Sequence, residues 1–438
     1  MPTLISRPAP ELDRARLPGG TASRRARVLV LDGQTTQALA CVRSLGRAGY
    51  DVLVASDCRW PLGAWSRHSR ARFRVKGETV AAFAELRAWA RRLGVSVVLP
   101  LTERSCLLCD TERAAWTEVG ITVGCAPTDV LMQAFDKGRV IARAEACGVS
   151  VPPTQFPDSL AACHAAAEVV GFPCVVKARR SNVPTEMGFS RDPGPGYAAS
   201  HAELDQTVQA RRQGEHWPII QSWVAGQGKG VFALCDHGRV VAWFAHERLR
   251  DVQPSGSGSS LRRSAPTEAR LRAPAERLLA ALEWHGPAMV EFRDDDVHPP
   301  WLIEVNGRFW GSLALAIAAG VDFPLLWMRM LAGETVTAPP DYRDGVVVRW
   351  LWGDVKRFFY ILRGRPPGYR AAYPGRAQAV RELFGRQPAG TRSETWDRHD
   401  PWPAVGEWVE GLRELVARIT RDASPHQGIR LDHRAVPQ

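Results

Sequence analysis

The chain has 438 residues, enough for two to four domains around a large core. Apolar residues make up 45% of it, as in a soluble globular protein, and no apolar run approaches the roughly 20 residues of a membrane span. The net charge of +11 comes mostly from single arginines on helix-like stretches. It suits anionic ligands such as nucleotides, and no zinc-finger, RNA-recognition or basic-zipper motif accompanies it.

Residues 1–26 are rich in Pro and Arg and lack the apolar centre of a signal peptide, so they read as a disordered leader. The nine cysteines are scattered and mostly sit in apolar contexts, which indicates reduced thiols and a cytoplasmic protein. Cys106-Leu107-Leu108-Cys109 has metal-like spacing but no second pair or His partner, and it falls in a helix-like stretch.

Arg27 to Gly33 is a short apolar strand ending in a turn. Thr36 to Gly49 has helical periodicity, with Ala38, Val42, Leu45 and Ala48 on one face. Asp51 to Ser56 reads as strand, Phe83 to Leu93 as helix, and Val95 to Leu101 as a buried strand. Strand alternating with helix implies a parallel sheet, so residues 27–135 form a doubly wound domain. Its first turn, Asp32-Gly33-Gln34-Thr35-Thr36, lacks the three-glycine dinucleotide fingerprint.

Asp136 to Cys147 is a helix closed by Gly148, and Leu160 to Val170 is another. Gly171-Phe172-Pro173 turns into the strand Cys174 to Lys177. Lys177 ends an apolar strand, where an ammonium needs an anion. Gly194-Pro195-Gly196-Tyr197-Ala198-Ala199 fits a loose dinucleotide pattern but follows an irregular stretch, not a strand. Ile219 to Val224 is a strand, and Val231 to Cys235 with Val240 to His246 form a hairpin around Asp236-His237-Gly238. Ser255 to Ser260 reads as a flexible Gly/Ser loop, flanked by Arg248, Arg250, Arg262 and Arg263. Arginines around such a loop suit capture of a carboxylate, and Arg248 is the candidate catalytic residue among them.

Two strand-like runs follow, Ala288 to Phe292 and Trp301 to Asn306, separated by the polar turn Arg293 to Pro300. Residues two apart on a strand share a face, so Glu304 and Asn306 point together. If the runs pair as a hairpin, Glu291 lies across from them. The result is an all-oxygen set that suits Mg²⁺, or Mn²⁺, with nucleotide phosphates completing the shell. Arg308, two residues on, is placed to hold a transferring phosphoryl group or an oxyanion. A Leu/Ala-rich helix runs from Gly311 to Ala319. From about Pro339 the composition turns to Arg, Trp, Tyr and Pro. Val355 to Leu362 and Trp408 to Ile419 are amphipathic, and Val409, Leu412, Leu415, Val416 and Ile419 form a stripe expected to pack on the body.

Asp136-Lys137, Gly171-Phe172-Pro173 with Val176-Lys177, Gln221 to Gly226, Glu291, and Glu304-Val305-Asn306-Gly307-Arg308 together resemble the ATP-grasp superfamily over residues 27–335. The stretch Asn306 to Ser312 is similar to a bacterial branch of ATP-dependent carboligases, in outline like carbamoyl-phosphate synthase. The resemblance implies ATP as cofactor, with Lys137 and Lys177 on its phosphates. It places Gln221, Trp223 and Val224 on the inter-lobe strand whose backbone reads adenine. It also places a phosphate lid within Ser181 to Tyr197. The acidic residue that the family often carries at the start of the inter-lobe strand is here Gln221, and Gln227 and Lys229 follow.

The expected architecture is α/β and α+β. A leader over 1–26 precedes a Rossmann-like domain over 27–135. A two-lobed ATP-grasp domain follows over 136–338, with lobes of about 136–215 and 216–338, and then a mostly helical extension over 339–438. The expected activity is an ATP- and Mg²⁺-dependent ligase joining a small-molecule carboxylate to an amine through an acyl phosphate. A carboxylase or kinase reaction, or nucleotide binding without catalysis, are the alternatives. Nucleic acid and a transmembrane segment are not expected, and a homo-oligomer is compatible with the sequence.

Overall fold

The computed structural model describes residues 26–185, 188–191, 194–337, 341–369 and 371–422. All of the expected leader except Ala26 lies outside them, as do parts of the expected lid.

Strands β1 (Arg27–Val30), β2 (Asp51–Ser56), β3 (Ser69–Arg74), β4 (Val97–Leu99) and β5 (Thr122–Val123) form a parallel sheet in the order β3-β2-β1-β4-β5. Helices α1 (Thr36–Arg47), α2 (Val80–Arg92), α3 (Glu103–Thr111), α4 (Arg113–Glu118) and α5 (Thr128–Phe135) connect and follow them. The chain moves out from β1 to one side and then to the other, which is the doubly wound arrangement expected. Both faces of the sheet are buried. Leu29 and Leu53 point into one apolar cluster, and Val28, Val30, Val52 and Val54 into another. Thr35, Thr79 and Thr102 cap α1, α2 and α3 through their hydroxyls. Cys106 and Cys109 are buried and unpaired in α3, and all nine cysteines are free thiols.

A second, antiparallel sheet follows. Its connecting elements are α6 (Lys137–Ala146), β6 (Thr154–Gln155), α7 (Leu160–Val170), β7 (Cys174–Lys177), the hairpin β8 (Asn182–Thr185) and β9 (Gly188–Arg191), β10 (Gly196–Ala198), α8 (His201–Gln209) and β11 (Ile219–Ser222). The strand order is β10-β7-β11-β6, over a small core that includes Cys163, Ala167, Val176 and Ile220. β11 pairs with β7, so the chain leaves this sheet after Ser222, not near residue 215 as expected. Gly196–Ala198 is a strand on β7, which removes the loose dinucleotide pattern.

The third sheet is the largest. It uses β12 (Gln227–Asp236), β13 (Arg239–Gln253), β14 (Ser257–Ala265), then after α9 (Ala269–Ala281) β15 (Gly286–Asp294) and β16 (Trp301–Asn306). Helices α10 (Leu313–Ala319) and α11 (Phe323–Leu331) precede β17 (Val347–Arg349). Then come α12 (Leu351–Arg363), α13 (Arg376–Phe384), β18 (Arg392–Ser393) and α14 (Trp402–Asp422). The order is β16-β15-β12-β13-β14-β17-β18. One face, with Val231, Ala233 and Val290, packs on Leu271, Ala275 and Leu278 of α9. The other face, with Phe232, Leu234 and Phe244, packs on α10 and α11. Both helices are largely buried there, and among the described residues no single helix is long and apolar enough to cross a membrane.

Two expectations are corrected. Ser257 to Ser260 is strand, not loop. It pairs with the far end of β13, the Trp350 amide donates to the Ser260 carbonyl (2.7 Å), and Ser259 and Ser260 are buried. Glycine and serine are weak strand formers, but pairing with β13 overrides that. The described part of the α14 stripe is not packed either. Val409 is 42% exposed and Leu412 51%. The helix docks instead through Gly406 against Trp65 and Gly411 against Trp352, where the absence of side chains admits the indole rings. The side chains of Leu415, Val416 and Ile419 lie outside the described residues.

The segment after residue 341 is clamped to both other parts. Arg43 of α1 is buried, pairs with buried Asp400 at 2.9 Å, and donates to the carbonyls of Thr395 (2.8 Å) and Asp400 (2.7 Å). Arg43→Met leaves that carboxylate buried without its cation. The expected loss is about 3–5 kcal/mol, seen as a lower midpoint in thermal unfolding. Arg43→Lys should restore only part, because one ammonium cannot replace a forked donor.

Candidate functional site

The β15–β16 hairpin forms as expected, and its register is the centre of the site. Glu291 pairs directly with Glu304, and Met289 with Asn306. Paired residues share a face, so the two carboxylates and the amide stand on one side. Gly230 of β12 lies beside Glu291, and His246 of β13 lies beside Gly230. A β-carbon at Gly230 would stand 3.1 Å from Phe232 Cζ and 3.3 Å from Met289 Cε. Glycine therefore keeps the floor low between Glu291 and His246. Arg248, two residues beyond His246, reaches across Gly228 to Glu291 (Nη2 to Oε1, 2.8 Å).

The opposite wall comes from the second sheet. Lys177 ends β7 and donates to Gln221 Oε1 at 2.8 Å, while Gln221 Nε2 donates to Thr154 Oγ1 at 2.8 Å. Lys137 begins α6. Buried Asp136 caps that helix by accepting from the amides of Gly138 and Arg139, and it holds Arg179 (3.1 Å) and Arg180 (3.2 Å). The Lys137 amide donates to the Arg179 carbonyl, which fixes α6 beside the end of β7. Lys137 Nζ donates to Ser181 Oγ at 3.4 Å.

One cleft of about 440 Å³ collects Lys137, Lys177, Arg248, Glu291, Glu304, Asn306 and Arg308. Gln221 stands behind Lys177. Trp223 and Val224 lie past the end of β11 and do not line the cleft, and Trp223 is 42% exposed. Arg308 donates to Asn306 Oδ1 (2.9 Å) and to the Phe309 carbonyl (2.8 Å), so it forms no ion pair with either glutamate. Asn306 Nδ2 in turn donates to Glu304 Oε1 at 2.8 Å. The sequence reading assigned no role to His246, Ser312, Trp310 or Trp350, which also line the cleft. His246 Nε2 and Ser312 Oγ are 2.9 Å apart. The signal for His246 was its place two residues before Arg248. Trp350 gave none, since it comes from the C-terminal segment.

The charges are strongly coupled. Burial and the repulsion of Glu304 raise the Glu291 carboxyl, against the pull of Arg248. Burial also pushes Glu304 up, but Lys137, the Asn306 amide, Lys177 and Arg308 outweigh it and hold Glu304 low. Burial pulls Lys177 down to about 8, with Lys137 and Arg293 helping and Glu304 opposing. Two facing carboxylates with an amide, ringed by cations, fit a hard divalent ion and a polyphosphate by their donor chemistry.

A family model described as ATP-grasp in the biosynthetic pathway with Ter operon matches residues 218–353. An N5-carboxyaminoimidazole ribonucleotide synthetase in complex with ADP superposes with a TM-score of 0.60 at 14% identity, over 85% of this chain and 98% of that one. This chain has the ATP-grasp fold. The N5-carboxyaminoimidazole synthetase of Staphylococcus aureus gives a TM-score of 0.57 at 12% identity, covering 74% of this chain and 80% of its own. The L-amino acid ligase of Bacillus licheniformis gives 0.54 at 16%, covering 71% and 75%. No curated protein matches the chain by sequence. The cleft described above lies between the second and third sheets.

Lys177 gives the site a pH signature. A free lysine titrates near 10.4, whereas this one does so at about 8. The unfolded chain thus holds the proton between about pH 8 and 10 when the folded chain does not. Charged Lys177 burdens the ligand-free fold below pH 8, and stability rises as pH climbs through that window. Anion binding reverses the balance by stabilising the ammonium. ADP affinity should fall as pH rises from 7 to 9, with proton uptake on binding, read by calorimetry in buffers of different ionisation enthalpy. Lys177→Arg should flatten the profile, and a flat wild-type profile would contradict this assignment.

Proposed function

We propose that the protein is an ATP- and Mg²⁺-dependent ligase that joins a carboxylate to an amine through an acyl phosphate, releasing ADP and phosphate. The observation that carries this reading is the direct pairing of Glu291 with Glu304, with Asn306 on the same face, in a cleft that also holds Lys137 and Lys177. Glu291, Glu304 and Asn306 are the residues that would hold Mg²⁺, which supplies charge neutralisation at the transferring phosphoryl group. Lys137 and Lys177 are assigned to phosphate oxygens, and the backbone of Gln221, Trp223 and Val224 to the adenine edge.

In this reading the substrate carboxylate attacks the γ-phosphorus in line and ADP leaves. The amine then adds to the acyl carbon and phosphate departs. Arg308 neutralises the charge that develops on the carbonyl oxygen. Arg248 has a second task. It pairs with Glu291 at 2.8 Å, and with Glu291 engaged in holding Mg²⁺ its guanidinium would be available to face the substrate. The two walls closing on the nucleotide keep water from the acyl phosphate. The carboxylase alternative takes support from the N5-carboxyaminoimidazole synthetases, and the ligase from the L-amino acid ligase, among the structures similar in fold.

The test is ADP release over a panel of carboxylate and amine pairs, with products identified by mass. A new amide with stoichiometric ADP and phosphate supports the ligase. A stable phosphorylated product, or bicarbonate-dependent turnover, would replace it by the kinase or carboxylase reading. Glu304→Gln should lower kcat/KM by about 100-fold or more, because one metal-binding oxygen becomes an amide nitrogen. Arg308→Lys should lower kcat by about 10²–10³ while the KM for ATP changes little, as expected of a group that acts in the transition state.

A further inference from the structure

A second cluster of ligating side chains stands at the opposite end of β12 from the cleft. Asp236 and Arg239 flank the two-residue turn His237-Gly238 that joins β12 to β13. Both turn residues have positive φ, 46° for His237 and 82° for Gly238. Such turns favour Asn, Asp or Gly, and histidine is among the few other residues enriched at positive φ. Gly238 donates its amide to the Trp284 carbonyl (2.7 Å), and a β-carbon on it would press on Ala280. The hairpin tip is thereby pinned against the loop that enters β15.

That loop carries His285. Its ring stacks on His237 with centroids 4.1 Å apart. Asp236 Oδ1 lies 2.9 Å from His237 Nδ1 and 3.6 Å from His285 Nδ1. One ligand atom from each of the three residues falls within 4.8 Å of the other two. Ligands about 2.0 Å from a tetrahedral zinc ion lie about 3.3 Å from one another, and the two measured separations bracket that spacing. Arg239 holds the other Asp236 oxygen at 3.4 Å, and the Trp327 edge packs on the His285 ring at 5.2 Å. These contacts hold Asp236 and the His285 ring in place, and His285 Nδ1 accepts the His237 amide (3.4 Å), a bond that an ion would replace.

From this geometry we propose that Asp236, His237 and His285 form a site for a borderline divalent transition-metal ion of the zinc class, with three protein ligands and an open fourth position. Two imidazoles and one carboxylate select such an ion over Mg²⁺ or Ca²⁺, which take all-oxygen sets. The site is not part of the cleft. Asp236 is six residues along β12 from Gly230, about 20 Å at strand spacing. A bound ion would tie the β12–β13 tip to the start of β15, the strand that carries Glu291. The other cluster of acids, Glu268, Asp294 and Asp296, gives a contrast. Lys229 and Arg270 already lie among those carboxylates, at 2.9 and 2.8 Å from Asp294, so no metal is proposed there.

The test uses the untagged full chain, stripped with chelator and titrated with ZnCl₂ in excess Mg²⁺ by calorimetry. The expected result is one equivalent bound and a higher unfolding temperature. His285→Gln and His237→Asn, the latter suited to the turn, should each weaken zinc binding by about 10-fold or more and abolish the thermal shift. Co²⁺ in place of zinc should give the intense visible absorption of a low-coordinate site in the wild type alone. The variants' zinc-free unfolding temperatures check that they fold, and the isosteric Asp236→Asn replaces either one that does not. Absence of a bound equivalent in the wild type, or zinc affinity unchanged in both histidine variants, overturns the proposal. Neither outcome bears on the ligase reading, because ADP release depends on the other end of the sheet.

Discussion

Two carboxylates forced to face each other are the constraint around which this molecule is organised. The pairing of Glu291 with Glu304 is set by hairpin register, not by side-chain choice, so the chain cannot separate them without slipping the strands. Like charges at that distance demand cations, and the ligand-free protein supplies them from several directions. Arg248 comes across from β13, Lys137 and Lys177 from the facing sheet, and Arg308 acts through Asn306. The opposite shifts of the two glutamates follow. The one nearer the lysines stays ionised, and the one left to Arg248 is raised. On the proposed reading, a divalent ion held by Glu291 and Glu304 would exchange with Arg248 as the neutralising partner of Glu291.

The surrounding architecture serves that exchange. Gly228 and Gly230 keep the floor clear so that Arg248 can cross it. Asp136 holds two arginines and a helix start at once, which sets Lys137 beside the end of β7. Gln221 holds the Lys177 ammonium from behind. This gives a physical account of the missing acidic residue on the inter-lobe strand. An amide oxygen at that position orients the lysine without neutralising it, and the lysine keeps its charge for an anion.

How much of this was legible depended on whether a feature was local. The β15–β16 hairpin, the strand ending in Lys177 and the helix after Asp136 show in the sequence because each is defined by its own periodicity and ends. β3 did not, because its alternate positions are arginines at a sheet edge, where burial leaves little apolar signal. Ser257 to Ser260 failed for the reverse reason, since pairing with β13 makes a strand of residues that would not form one alone. The α14 stripe misled because small residues, which carry no apolar signal, form the docking face. Among candidate site residues, Glu291, Glu304 and Asn306 on alternating strand positions come together in the cleft lining. Trp223 and Val224, taken from resemblance, fall beside the cleft and not in its lining.

The same distinction explains why the substrates are not written in the motifs. Part of the cleft lining is built by convergence. Thr36 from the first domain, Arg262 from β14, Gly311 from the loop after Arg308 and Trp350 from the C-terminal segment all line it. Arg262 is buried and ion-paired with buried Glu394, which burial and the nearby Glu407 raise to about 7 despite Arg262. Trp350 is itself held by its indole N–H donating to Glu407 at 2.5 Å. Four separate stretches of chain must therefore be in place before that lining exists. The C-terminal segment, with the clamp from Arg43 to Asp400 and the strand it adds to the third sheet, is thus a structural part of the cleft and not an appendage to it.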